Sequence, residues 1–117
     1  MVLDWADEKG ITESGTPLAQ IEKTREEVEE TRDALICINQ YAKLTDKFLI
    51  EEIEEQLEEL QEQLEDGIGD VMVTLIILAH LCNTDALSCL ERAFNEIKDR
   101  KGQMIDGAFV KEGGADE

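Results

Sequence analysis

From Leu18 onward the apolar residues recur at helical spacing. Leu18, Ile21, Val28, Leu35, Ile38 and Ala42 form one stripe, with Thr24 and Thr31 filling its gaps. Thr16-Pro17 stands just before it, an N-cap followed by proline at the first helical position. The pattern predicts a helix from there to about Ala42, with a break over Lys43–Lys47. A second stripe, Ile50, Ile53, Leu57, Leu60 and Leu64, alternates spacings of three and four. That is a coiled-coil-like seam, and the glutamates between its positions are its wet face. It is short, which favours packing within the chain or in a dimer over a long coiled coil.

Around Asp66-Gly67 the second helix is expected to bend or restart, because glycine weakens a helix interior. Val71–Cys82 is apolar nearly all round and predicts a central helix covered on every side, by this chain or another subunit. It is too short to span a bilayer. Asn83-Thr84-Asp85 supplies the next capping signal, opening a helix from about Ala86 to Asp99 with Leu87, Leu90, Phe94 and Ile97 facing inward. Residues 1–15 are polar and hold Gly10, Gly15 and the lone Trp5, so they read as an irregular arm or short turn. Residues 103–117 read as a loose tail. The expectation is one all-α domain of four to five helices over residues 1–117, a length that suits one modest core.

Charge narrows the function. The 117 residues carry 29 acidic against 11 basic side chains, a formal net charge of −18. That argues against a nucleic-acid partner bound through a basic face and against docking on anionic membranes. A solvated surface explains most of the glutamates. Cys37, Cys82 and Cys89 form no C-x-x-C pair and read as small packing residues in a reducing cytosol. His80 is the single histidine, which disfavours zinc and reads as a core or helix-end residue. Met1–Gly10 has no apolar signal region, so a cytoplasmic protein is expected.

Two acidic clusters carry the candidate chemistry. On a helix Gln20, Lys23, Glu27, Glu30 and Ala34 share one row, with Glu26 on the row beside it. Asp66 and Asp70, four apart, share a face of the second helix. Each cluster alone reads as a solvated charge run. Asp70 changes that balance, because it opens the apolar run Val71–Cys82, and a carboxylate there is costly without a neutralising partner. Brought together, the two rows form a cup of carboxylates suited to a hard cation such as Mg²⁺. Lys98, Arg100 and Lys101 cluster at the end of the last helix, either compensating its dipole or binding phosphate.

Together these segments resemble the MazG-like all-α nucleoside triphosphate pyrophosphohydrolases, especially the small single-domain versions found in bacteriophages. The resemblance begins at Trp5-Ala6-Asp7-Glu8-Lys9-Gly10, similar to the family's tryptophan-containing leader. It continues through Thr16-Pro17-Leu18-Ala19-Gln20 and Lys23 into Glu26-Glu27-Val28-Glu29-Glu30, similar to its E-E-x-x-E motif. Ile68-Gly69-Asp70-Val71 resembles the second metal motif, and Asn95–Gly102 the closing basic segment. One position departs: the usual second motif is E-x-x-D, and this chain has Gly67 where the first acid belongs, with Asp66 as the nearest substitute.

The resemblance implies Mg²⁺-dependent cleavage of a nucleoside triphosphate between its α and β phosphates, with Mn²⁺ able to substitute. Glu27, Glu30 and Asp70 would be metal ligands, with either Asp66 as the fourth or that ligand lost and fewer metals held; Glu26 would be a further ligand or, with Glu27, catalytic. Lys23, Lys98, Arg100 and Lys101 would hold phosphates, while Trp5 and Gln20 are the candidates for the base. It also suggests a purine deoxynucleotide such as dGTP or dATP, a homodimer or homotetramer, and host cytoplasm for a phage-encoded chain. The competing expectation is a non-enzymatic acidic helical adaptor binding through the Ile50–Leu64 seam. A carboxylate di-iron protein is disfavoured, since the Glu-x-x-His pairs of such sites are missing.

Overall fold

A computed structural model of the chain describes residues 1–44 and 50–113. Helix dominates, in the order α1 (Val2–Glu8), α2 (Ile11–Ser14), α3 (Pro17–Ala42), α4 (Ile50–Leu81) and α5 (Ala86–Ile97). A hairpin of β1 (Gly102–Ile105) and β2 (Ala108–Lys111) follows. The chain divides into two compact units, Met1–Thr84 and Asp85–Glu117.

The first unit is built on α3 and α4, which run 26 and 32 residues, about 39 and 48 Å at the usual helical rise. They pack antiparallel. Gln20 near the start of α3 reaches Thr74 late in α4, Thr31 lies over Gly67, and Tyr41 shares a hollow with Ile53. As expected, α3 starts at the Thr16 cap, whose side chain accepts a hydrogen bond from the Ala19 amide at 3.3 Å, and ends at Ala42. Lys43 and Leu44 turn away. The rest of the expected break, together with the Ile50 side chain of the seam, lies outside the described residues.

The buried core of the first unit is built of alanines, threonines and isoleucines. Ala34, Thr24, Thr74, Ala79, Ile53 and Ile77 are buried, Ile77 to 2% exposure. Each threonine at the contact returns its hydroxyl to its own helix: Thr24 to the Gln20 carbonyl at 3.2 Å, Thr31 to Glu27 at 2.7 Å, Thr74 to Val71 at 2.7 Å. Such back-bonding lets a polar residue sit in a contact without leaving a donor unmet. The expected seam holds as well, with Ile53 buried and Leu57, Leu60 and Leu64 half-buried.

Several expectations need correction. Residues 1–15 are not an irregular arm: they form α1 and α2, with Ala6 fully buried and both helices packed on α4. Burial of an apolar face overrode weak local propensity, and the Thr12 hydroxyl ties the pair by donating to Asp7. Nor does α4 bend at Asp66-Gly67; it runs unbroken to Leu81, because packing along α3 outweighs the cost of glycine. Within this chain Val71–Cys82 is not covered on every side, since Met72 and Leu75 remain exposed. Cys82 and Cys89 are exposed rather than packed, while Cys37 is half-buried. His80 takes the helix-end position, exposed in the last turn of α4.

At the end of α4, Asn83 adopts a left-handed φ of 62° and the Thr84 amide donates back to the Ala79 carbonyl at 2.9 Å. That is a Schellman-type stop. Asp85 then caps α5, accepting from the Ser88 amide at 2.8 Å and the Ser88 hydroxyl at 2.9 Å. The helix ends at Ile97, two residues short of the expected Asp99, and Leu87, Leu90, Phe94 and Ile97 do not face inward; all four are exposed.

The expected loose tail is also overturned over its described part, where Gly102–Ile105 pairs antiparallel with Ala108–Lys111, Met104 opposite Phe109. Asp106 and Gly107 form the two-residue turn, both at positive φ, the geometry for which Asp-Gly is favoured. Residues 114–117 of that expected tail lie outside the described residues.

Candidate functional site

Glu30, Asp33, Ala34 and Cys37 make one row along α3, at helical spacings of three, one and three. On α4 the row is Gln63, Asp66, Gly67 and Asp70. The two rows face each other across an open cleft of about 420 Å³. Four of its eight lining residues are carboxylates, and none is a cation. The two helices therefore present a formally −4 groove between them.

Gly67 is what lets the rows approach. A β-carbon placed there would lie 2.6 Å from the Thr31 hydroxyl oxygen and 3.3 Å from its β-carbon. An acid at 67 would have to push α3 and α4 apart, so the glycine in place of the resemblance's first acid is a packing requirement here. Asp66, one position earlier, opens into the cleft with Asp70. Because α4 is continuous, their spacing of four keeps both on one face.

The cleft gathers three of the expected site residues, Glu30, Asp66 and Asp70, and leaves the others elsewhere. Glu26 is exposed and Glu27 largely covered, and neither lines the cleft. Both engage Lys23, whose ammonium is 3.2 Å from Glu26 and 3.6 Å from Glu27. Its hydrogen bond and attraction to Glu26, helped by Glu27, hold the Lys23 pKa above its ordinary 10.5. Lys23 is thus neutralised by its own helix. Gln20 is engaged too: its amide donates to the Thr74 carbonyl at 3.1 Å and joins α3 to α4. Trp5, on α1, is about half-exposed.

Lys98, Arg100 and Lys101 belong to the second unit and are exposed. Lys98 closes α5, its amide bonded to the Phe94 carbonyl. Arg100 and Lys101 line a shallow hollow with Glu96, Asp99 and Glu112, so acids surround that basic group.

Asp33, Cys37 and Gln63 were not among the expected site residues. The same helix-face rule reaches them: Asp33 and Cys37 lie three and seven residues after Glu30, and Gln63 lies seven before Asp70. Among the described residues no group of three or more His, Cys, Asp or Glu side chains stands close enough to hold a metal ion as placed. In kind, the donors suit a hard divalent cation, being carboxylate oxygens from two facing helices. Among the described residues no single helix is long and apolar enough to cross a membrane.

Compared with known proteins, the chain matches no protein-family model, no curated protein and no solved structure.

Proposed function

We propose that the cleft between α3 and α4 is the active site of a Mg²⁺-dependent nucleoside triphosphate pyrophosphohydrolase of the MazG-like kind. The observation that carries this reading is the facing of Glu30 and Asp33 by Asp66 and Asp70 across one groove with no cation in its lining. Like charges gathered along one groove favour taking up a counter-ion. Glu30, Asp66 and Asp70 would hold Mg²⁺. All three are exposed, and exposed side chains change rotamer within nanoseconds, so their carboxylates are free to turn toward an ion.

Bound Mg²⁺ would neutralise the triphosphate and lower the pKa of a water. The chain's own part is to position and to accept. Asp33, on the same row as Glu30, would orient the attacking water and receive its proton. Addition of that water across the α–β phosphoanhydride gives the nucleoside monophosphate and pyrophosphate. Glu27, with Glu26, would join the site by releasing Lys23, which the incoming phosphates would then attract. Trp5 offers an exposed ring for a purine deoxynucleotide base such as that of dGTP or dATP; Gln20 is the weaker candidate, its amide already being bonded.

The reading includes assembly into a homodimer or homotetramer. An open groove of about 340 Å³ on the first unit, lined by Val28, Leu35, Ile68 and Met72 among others, supports it. The same groove favours the second reading, a helical adaptor. The Ile50–Leu64 seam does not, because Ile53 is buried within the chain.

A pyrophosphate-release assay across the common NTPs and dNTPs, with and without Mg²⁺, separates the two. Turnover only with the metal is expected. No turnover on any substrate would leave the adaptor.

A further inference from the structure

The amphipathic face of α5 lies outside every role assigned above. Leu87, Leu90, Phe94 and Ile97 recur at spacings of three, four and three, the rhythm of a two-helix seam. All four are exposed, Phe94 to 57%. Contiguous apolar surface of this kind marks an interaction site. We propose that α5 docks antiparallel on the α5 of a second copy of this chain.

Charge selects that occupant. Residues 85–111 hold five acidic and five basic side chains and are formally neutral, so the −18 of the chain lies elsewhere. Two copies repel each other over most of their surface, and the α5–hairpin segment is where they meet at least electrostatic cost. A basic partner protein would be drawn to the acidic first unit instead.

The flanks of the seam are self-complementary in one orientation. Glu91 and Lys98 lie seven apart on one edge of the apolar face, and Ala86 and Ala93 lie seven apart on the other. In an antiparallel pair like edges meet. Glu91 of each copy then opposes Lys98 of the other, and the alanine edges permit close approach. A parallel pair would set the charged edge against alanines and satisfy neither charge. Antiparallel helices also oppose their dipoles favourably.

The proposal is independent of any catalytic role for the cleft, and its test reads mass rather than turnover. Sedimentation of the full chain across a micromolar concentration series is expected to show self-association. Phe94→Glu should halve the mass of the assembled species while keeping the far-ultraviolet helix signal. Glu91→Lys should weaken association, and adding Lys98→Glu should restore it, a rescue that an unrelated structural effect would not give. A wild-type chain that stays monomeric, or a mass unmoved by Phe94→Glu, overturns the proposal. Failure of the charge swap to rescue overturns the antiparallel pairing.

Discussion

Thr31 lies over Gly67 so closely that a β-carbon at 67 would come within 2.6 Å of the threonine hydroxyl oxygen. That hydroxyl is held at 2.7 Å on the Glu27 carbonyl of its own helix, so it has a bond to lose by moving. Overpacking of this kind costs about 1–3 kcal/mol, whereas alanine gains about 1 kcal/mol over glycine in a helix. Gly67→Ala is therefore expected to be neutral to destabilising by about 2 kcal/mol, and Gly67→Glu worse. With Thr31→Ala already present, Gly67→Ala should become markedly less costly. Urea unfolding of the four chains in a double-mutant cycle measures that coupling; strictly additive effects would mean the two residues do not meet.

Asp70→Asn should lower Mg²⁺-dependent pyrophosphate release by about 100-fold or more, the scale expected when a metal site is disrupted. Asp70 is exposed, so helix content by circular dichroism should not change. Asp33→Asn should lower kcat more than it raises KM, as a water-orienting role requires. Equal rates in Asp70→Asn and wild type would remove the cleft from the chemistry.

Gln20→Leu separates a structural amide from a base-reading one. Losing its bond to the Thr74 carbonyl should cost about 1 kcal/mol of stability, seen as a lower urea midpoint. Relative turnover on purine and pyrimidine substrates should not move. A changed base preference at unchanged stability would return Gln20 to the nucleotide.

The α5 cap carries a pH signature. Hydrogen bonds from the Ser88 amide and hydroxyl, the largest influences, hold the Asp85 pKa below its ordinary 3.8. A carboxylate depressed in the folded state stabilises fully above its unfolded value and loses that contribution as pH falls through the lower, folded value. Fraying of the first turn of α5 should therefore begin only below pH 3.8. The Ser88 amide resonance followed by NMR across acid pH should titrate there, and Asp85→Asn should keep the cap while abolishing the titration. A midpoint above 3.8 would contradict the bonded cap.

What was legible in the sequence was chiefly local. Thr16-Pro17 and Asp85 mark helix starts because a cap is settled within four residues. The α3 stripe with Thr24 and Thr31 in its gaps is likewise a property of one helix. Elements whose stability comes from distant contacts were harder to read. Val2–Glu8 lacks a side-chain cap bond and helical length, and holds through Ala6 buried in the first unit. Gly67 reads as a break until Thr31 is seen above it.

The hairpin is a different case: Asp106-Gly107 between apolar residues is a local signal, outweighed by the glycines around it. At the cleft, the spacing of Asp66 and Asp70 correctly placed them on one face. Pairing that face with Glu30 and Asp33, rather than with Glu26 and Glu27, depends on the rotation of one helix against another, which no single stripe encodes.

Because the interface threonines turn their hydroxyls into their own helices, those hydrogen bonds do not fix how far α3 stands along α4. That setting rests on a few points: the Gln20 amide on the Thr74 carbonyl, and the notch at Gly67 that receives Thr31. A slip by one turn, about 5.4 Å, would change which of Asp66 and Asp70 stands opposite Glu30 and Asp33. These two fastenings thus act as the vernier of the acidic groove, and small changes at either would mis-set it without unfolding the helices.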